Sequence, residues 1–133
     1  MNSVLFTHSY FYKLDSKQWS FKQPYPPLGM LQAAAVIRKE GYEVSAFDVG
    51  LQDGPDAITS ILKKNHPKYF IIYDDGFNYL TKMCLTVMRE AAFAMSSMAK
   101  QQGSIVIISS SDSTDHYEKY FEHGADYVVR GEG

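Results

Sequence analysis

The chain has 133 residues, with 13 Lys and Arg against 15 Asp and Glu, 45% hydrophobic and 21% charged residues, and a single cysteine. This is the make-up of one globular domain, long enough to bury about 70% of its extended surface without disulfide or metal staples. A formal charge of −2 argues against a broad nucleic-acid-binding face, and one thiol excludes an internal disulfide or a Cys-x-x-Cys site. No apolar run reaches the ~18 residues that a membrane span needs. The opening Met1-Asn-Ser-Val-Leu-Phe-Thr-His8 lacks the basic head and cleavage site of a signal peptide, so a cytoplasmic domain is expected.

In chain order, the apolar run Val4–Thr7 reads as a first strand. Between it and the first helix lie 19 residues, Ser9 to Pro27, six of them aromatic (Tyr10, Phe11, Tyr12, Trp19, Phe21 and Tyr25). Connections beyond about 12–15 residues are usually functional or disordered, and disordered ones are poor in aromatics, so this one is expected to pack on something. The first helix is predicted over Leu28–Glu40, with Met30, Ala33, Ala34 and Ile37 on one face and Gly41 just past its end. Strand two follows at Val44–Asp48, then a short helix through Ile58, Ile61 and Leu62 that His66-Pro67 closes. Strand three is Tyr69–Tyr73. A long helix carries the stripe Leu80, Met83, Cys84, Val87, Ala91, Ala94, Met95 and Met98 up to Gly103, which reads as core packing with Cys84 inert. Strand four is Ile105–Ile108. A fourth helix is predicted to start at Asp115 with Glu118 as its capping-box partner, to pack through Tyr117, Tyr120 and Phe121, and to stop at Gly124 before strand five, Tyr127–Val129.

Near-continuous apolar strands joined by helices indicate a parallel sheet buried on both faces. The expected fold is therefore an α/β, doubly wound, flavodoxin-like (Rossmann-like) domain with five parallel strands and helices on both faces. Ligands of such sheets sit beyond the carboxyl ends of the strands, where strand order reverses. The candidates by position are His8 onward, Asp48, Asp74 to Gly76, Ser109 to Thr114 and Arg130 to Gly133. A Gly-x-Gly-x-x-Gly turn is absent after strand one, so a nicotinamide reading of Asp48 fails.

The segment Tyr25-Pro-Pro-Leu-Gly29, the Gly41-Tyr-Glu-Val leading to Asp48, and the ending Gly124-Ala-Asp-Tyr-Val-Val-Arg-Gly-Glu-Gly133 together make a pattern. It resembles the N-terminal cobalamin (vitamin B12)-binding domain of cobalamin-dependent radical S-adenosylmethionine (radical SAM) enzymes. That family takes in proteins similar to the anaerobic magnesium-protoporphyrin IX monomethyl ester cyclase and methyltransferases acting on unactivated carbons. The resemblance implies a corrin lying over the carboxyl edge of the sheet, with the nucleotide tail inserted between strands three and four. With the strand-end positions, it puts Leu28 and Gly29 near the corrin, Asp48, Asp74 and Gly76 along the cofactor edge, Ser109, Ser110 and Asp112 at the tail or the cofactor edge, and Gly131 and Glu132 closing the same side. Two departures stand out. Ser109-Ser110-Ser111-Asp112 occupies the place where the family often has Gly-Gly-Pro-His, and Asp74-Asp75 brings two acids where phosphate would be repelled. The Asp-x-His-x-x-Gly string that supplies an axial imidazole in other cobalamin carriers is also absent, which leaves His8 or Tyr10 as the candidates for cobalt ligation.

The resemblance further implies a longer polypeptide, of which residues 1–133 form the cobalamin-binding unit. Its C-terminal radical SAM domain would hold a [4Fe-4S] cluster and S-adenosylmethionine. One cysteine cannot form that cluster's three-cysteine loop, so no catalytic apparatus is expected in this domain alone. The rival readings are a receiver-like module, for which strand one lacks the acids that hold magnesium, a flavin-binding sheet, and an interaction domain that binds no cofactor.

Overall fold

In the computed structural model, which describes residues 3–11, 28–74 and 82–130, strands and helices alternate along the chain. Strand β1 (Ser3–Thr7) leads to helix α1 (Leu28–Lys39) and β2 (Glu43–Ala46). A one-turn 3-10 helix at Pro55–Ala57 precedes α2 (Ile58–Asn65), which is followed by β3 (Tyr69–Tyr73) and α3 (Lys82–Gln101). Strand β4 (Ile105–Ser109), the short helices α4 (Ser111–Asp115) and α5 (Tyr117–Glu122), and β5 (Tyr127–Val129) complete the order. The strands form one sheet ordered β2-β1-β3-β4-β5, with every neighbouring pair parallel. The expected α/β doubly wound architecture is thus present.

The two faces are built by alternation along the strands. Val4 and Phe6 of β1 point to the side covered by α1, where they meet Met30 and Ala34. Leu5, with Phe70 and Ile72 of β3 and Val106 and Ile108 of β4, points to the other side, against Ile58 and Leu62 of α2, Ala91, Met95 and Ala99 of α3, and Tyr120 of α5. Small residues at 91, 92 and 99 let α3 lie close to the sheet. Each large side chain buried this way contributes on the order of 1.5–3 kcal/mol. Three helix-to-strand connections end on glycines in the left-handed region, Gly41 (φ 96°), Gly103 (φ 89°) and Gly124 (φ 111°), as the helix-end signals predict. His66 takes that conformation too (φ 42°) at the end of α2, where its N–H reaches the Leu62 carbonyl and Pro67 forbids further helix.

Three expectations need correction. Burial on both faces holds for β1, whose residues 4–7 are all buried, whereas β3 and β4 alternate between buried and half-buried positions, and Tyr127 and Val129 of β5 are exposed. The reason is that α1 is the one helix packed on its face among the described residues. Strand β2 stops at Ala46, two residues short of Asp48; the Phe47 N–H still donates to the Phe6 carbonyl at 2.9 Å, and the chain then turns away. The fourth helical segment starts at Ser111 instead of Asp115. Its capping box is Ser110 with Ser113, and the later piece begins at Tyr117, with His116 as an N-cap that makes no side-chain cap bond. Of its predicted packing residues, Tyr120 is buried and Phe121 is exposed. The segment from 12 to 27, Leu80 and the side chains of Met83 and Cys84 lie outside the described residues.

Gly124 is the tightest of the three turns, because a Cβ there would lie 3.2 Å from the Ser96 carbonyl oxygen. Gly124→Ala is expected to destabilise the fold by about 1–2 kcal/mol, since strain at positive φ adds to the clash. Urea unfolding checks this, with Gly54→Ala as the control, because nothing lies within 4 Å of a Cβ at that glycine.

Candidate functional site

The reversal of strand order falls at β1, with β2 on one side and β3 on the other, and the carboxyl end of β1 carries a polar network that reaches both neighbours. Thr7 is fully buried, and its hydroxyl donates to the Phe47 carbonyl at 2.7 Å. His8, 6% exposed, places Nε2 2.6 Å from Asp48 Oδ1, while its Nδ1 accepts the Tyr10 N–H at 3.2 Å. An accepting Nδ1 puts the proton of the neutral ring on Nε2, so His8 donates to Asp48. Asp48 Oδ1 also accepts the Gly50 N–H at 2.8 Å. The His8 hydrogen bond holds the Asp48 carboxyl below its ordinary value against the opposing effect of partial burial, with the Gly50 N–H adding to the lowering. Asp48 is therefore a carboxylate at neutral pH, and its side chain remains 54% exposed.

On the other side of β1, Ser9 clamps Asp74 at the end of β3. The Ser9 N–H donates to Oδ1 at 2.7 Å and the Ser9 hydroxyl to Oδ2 at 2.6 Å. Ser9 is 1% exposed, its hydroxyl proton is committed to a carboxylate, and His8 faces the opposite strand, so Ser9 and His8 do not form a nucleophile–base pair. Both Asp74 oxygens are already engaged by Ser9, which removes the free carboxylate that a receiver-like acceptor would offer.

Past β4 the chain is self-satisfied. The Asp74 N–H donates to the Ser109 carbonyl at 2.9 Å, extending the β3–β4 ladder one residue beyond the Tyr73–Ser109 pair. Ser109 and Ser110 are each 8% exposed. The Ser110 hydroxyl accepts the Ser113 N–H at 3.0 Å, and the Ser113 hydroxyl in turn accepts the Ser110 N–H at 3.2 Å. Asp112 is a structural hub. Its two oxygens take Arg89 in a bidentate pair at 2.7 and 2.8 Å, and Oδ2 also accepts the Tyr120 hydroxyl at 2.6 Å. Burial alone would raise its carboxyl, but Arg89 and Tyr120 outweigh this and leave it below its ordinary value. The same burial and the Asp112 bond push the Tyr120 hydroxyl far upward.

Of the residues singled out from sequence, the fold brings His8, Asp48 and Asp74 together at the sheet's carboxyl edge, with Tyr10 joined to them through its N–H. Ser109 ends β4, Ser110 caps α4 and Asp112 lies in its first turn, and all three face inward. Gly29 lies in the first turn of α1 and has a partner interaction of its own. The Leu28 side chain, Gly76, Gly131 and Glu132 lie outside the described residues. Sequence reading finds neither the role of Arg89 nor the pairings His8–Asp48 and Ser9–Asp74, which join residues 40 and 65 positions apart. One signal for Arg89 was present: it is a lone cation beside the buried stripe Met88, Ala91 and Ala92. No group of three His, Cys, Asp or Glu side chains capable of holding a metal exists among the described residues, and no helix among them is long and apolar enough to cross a membrane.

No protein-family model matches the chain, and no curated protein sequence matches it. Among solved structures, the crystal structure of TesA is similar, with a TM-score of 0.46 and 18% identity over 91% of this chain and 67% of that one. A likeness that distant carries nothing about the site.

Removing Asp112 leaves the Arg89 guanidinium and the Tyr120 hydroxyl without their shared acceptor. Asp112→Ala is expected to cost about 2–3 kcal/mol, reduced from the fully buried case because Arg89 keeps 23% of its side-chain exposure. Asp48, Asp112 and Asp126 all have lowered carboxyl values, so their contribution is complete above the unfolded value of 3.8 and is lost as pH falls through the folded values. Thermal midpoints across an acid series should therefore drop below pH ~4 for the native chain, and less steeply for Asp112→Ala.

Proposed function

We propose that this domain binds cobalamin at the carboxyl edge of its sheet and presents it to a radical SAM domain of the same polypeptide. The reading is supported by one structural observation above the others, the 2-1-3-4-5 strand order, which opens the ligand edge of this fold class at the β1/β3 reversal. It also rests on the likeness of the 25–48 and 124–133 segments to that family. A corrin periphery is a ring of carboxamides, donors and acceptors without charge, and an edge bearing the ionised Asp48 beside half-buried Tyr10 is suited to it. The residues proposed to hold the corrin are Gly29, Asp48 and the half-buried Tyr10.

The nucleotide tail matches less well. Its phosphate would meet carboxylates at Asp74 and Asp112, and a tail passing between β3 and β4 has to break the Asp74–Ser109 hydrogen bond. Ser110 is an inward-facing cap in this chain, so its hydroxyl is not free to hold a phosphate. When bound, cobalamin supplies a cobalt centre able to carry a methyl group or relay electrons. The chain's own part is to bind, orient and shield. Both nitrogens of His8 are engaged by Asp48 and the Tyr10 N–H, so the proposal gives His8 no bond to cobalt. The [4Fe-4S] cluster and S-adenosylmethionine belong to the proposed partner domain, because Cys84 is the chain's single cysteine. A cytoplasmic location is part of the same proposal.

The test is a titration of the chain with hydroxocobalamin, removal of free ligand and an absorption spectrum of what is retained. Retention near one equivalent is the expected outcome, and none at micromolar concentrations refutes the reading. In the retained complex, a spectrum with the benzimidazole base off cobalt is what insertion of the tail at the β3–β4 edge requires, and a base-on spectrum would rule that insertion out.

A further inference from the structure

The His8–Asp48 pair is arranged the opposite way from a catalytic dyad. The imidazole is the buried member, 7% exposed in its side chain, and the carboxylate is the exposed one, at 54%. His8 spends both ring nitrogens inside the protein, Nε2 on Asp48 and Nδ1 on the Tyr10 N–H. Asp48 spends Oδ1 twice, on His8 and on the Gly50 N–H, and no described residue bonds Oδ2. The result is a fixed carboxylate with one occupied and one open oxygen, held ionised at the edge where the strand order reverses. Gly50 is part of the device. A Cβ at that position would lie 2.9 Å from Asp48 Oδ1, so a larger residue there would require the carboxylate to shift from its place.

An open, charged acceptor selects for chemistry. It binds amide N–H, hydroxyl or ammonium groups and repels carboxylate or phosphate at the same place. Resting on the cobalamin reading above, we infer that Asp48 is a specificity-determining residue whose Oδ2 accepts a corrin carboxamide N–H, and that His8 is the positioning residue that fixes it. The β1–β2 half of the edge then reads the corrin periphery, while the tail lies elsewhere.

Two corrins separate these ideas. Cobinamide keeps the ring carboxamides and has no nucleotide, and cobyrinic acid carries carboxylates in place of the carboxamides. The native chain should bind cobinamide at least ten-fold more tightly than cobyrinic acid. Asp48→Asn keeps an oxygen for His8 and Gly50 and turns an N–H₂ group outward. It should weaken cobinamide about ten-fold, as loss of a hydrogen bond to a charged group does, and should strengthen cobyrinic acid, so that the preference collapses. His8→Phe should weaken cobinamide in the native background and change nothing further beside Asp48→Asn, a non-additivity that a merely structural histidine would not produce. Asp48→Asn is nearly isosteric, so it carries the test even where His8→Phe fails to fold. If Asp48→Asn binds both corrins as the native chain does, or if His8→Phe is additive with it, the inference is overturned while the cobalamin reading stands. If the native chain binds neither hydroxocobalamin nor cobinamide, the cobalamin reading falls and takes this inference with it.

Discussion

The clamp on the end of β1 is the constraint on which the rest of the ligand edge depends. β1 is the strand buried on both faces, and in the next two residues it fixes both neighbours: His8 reaches Asp48 beyond β2, and Ser9 reaches Asp74 beyond β3. Parallel strands carry no tight turn to set their ends, so such an edge needs side-chain bonds to hold it. Here two carboxylates are drawn toward one strand from opposite sides. Among the described residues, a buried imidazole N–H, a hydroxyl and two backbone N–H groups donate to them. The bonds are charge-assisted and short, 2.6 to 2.8 Å.

A second centre sits one strand further on and does a different job. Arg89 from α3, Asp112 from α4 and Tyr120 from α5 meet at one carboxylate. This network ties the helices of one face to the end of β4 and engages both oxygens of Asp112 within the fold. Asp112, so close to the ligand edge in sequence, belongs to the scaffold. The edge is therefore uneven: open and anionic at Asp48, closed and self-bonded at Ser109 to Ser113. That asymmetry suits a ligand rich in neutral donors over β1 and β2, and it disfavours a phosphate between β3 and β4.

Much of the fold was legible because its signals are local. The period of Met30, Ala33, Ala34 and Ile37, the glycines at 41, 103 and 124, and the five apolar runs are each contained within a few residues, and together they leave little choice of architecture. The site was legible only as positions. Strand ends can be located from sequence, but whether Asp48 is free or paired depends on His8, 40 residues away. Ser110 to Ser113 shows the other kind of error. A run of serines at a strand end suggests a ligand loop, yet serine is also a strong helix N-cap, and here capping won because Ser110 and Ser113 satisfy each other. Strand β2 was read too long because Phe47 is apolar and keeps one ladder bond after the strand has ended.

The central claim is that the ligand edge lies at the β1 reversal and is read by the His8–Asp48 side. Amide chemical-shift mapping on the ¹⁵N-labelled chain with saturating hydroxocobalamin tests it most directly. The account predicts that the largest shifts fall on His8 to Phe11, Asp48 to Gly50 and Asp74, and that the opposite edge, at Gly41, Lys68 and Gly103, stays still. Shifts concentrated at that opposite edge, or on the exposed face of β5, would contradict it.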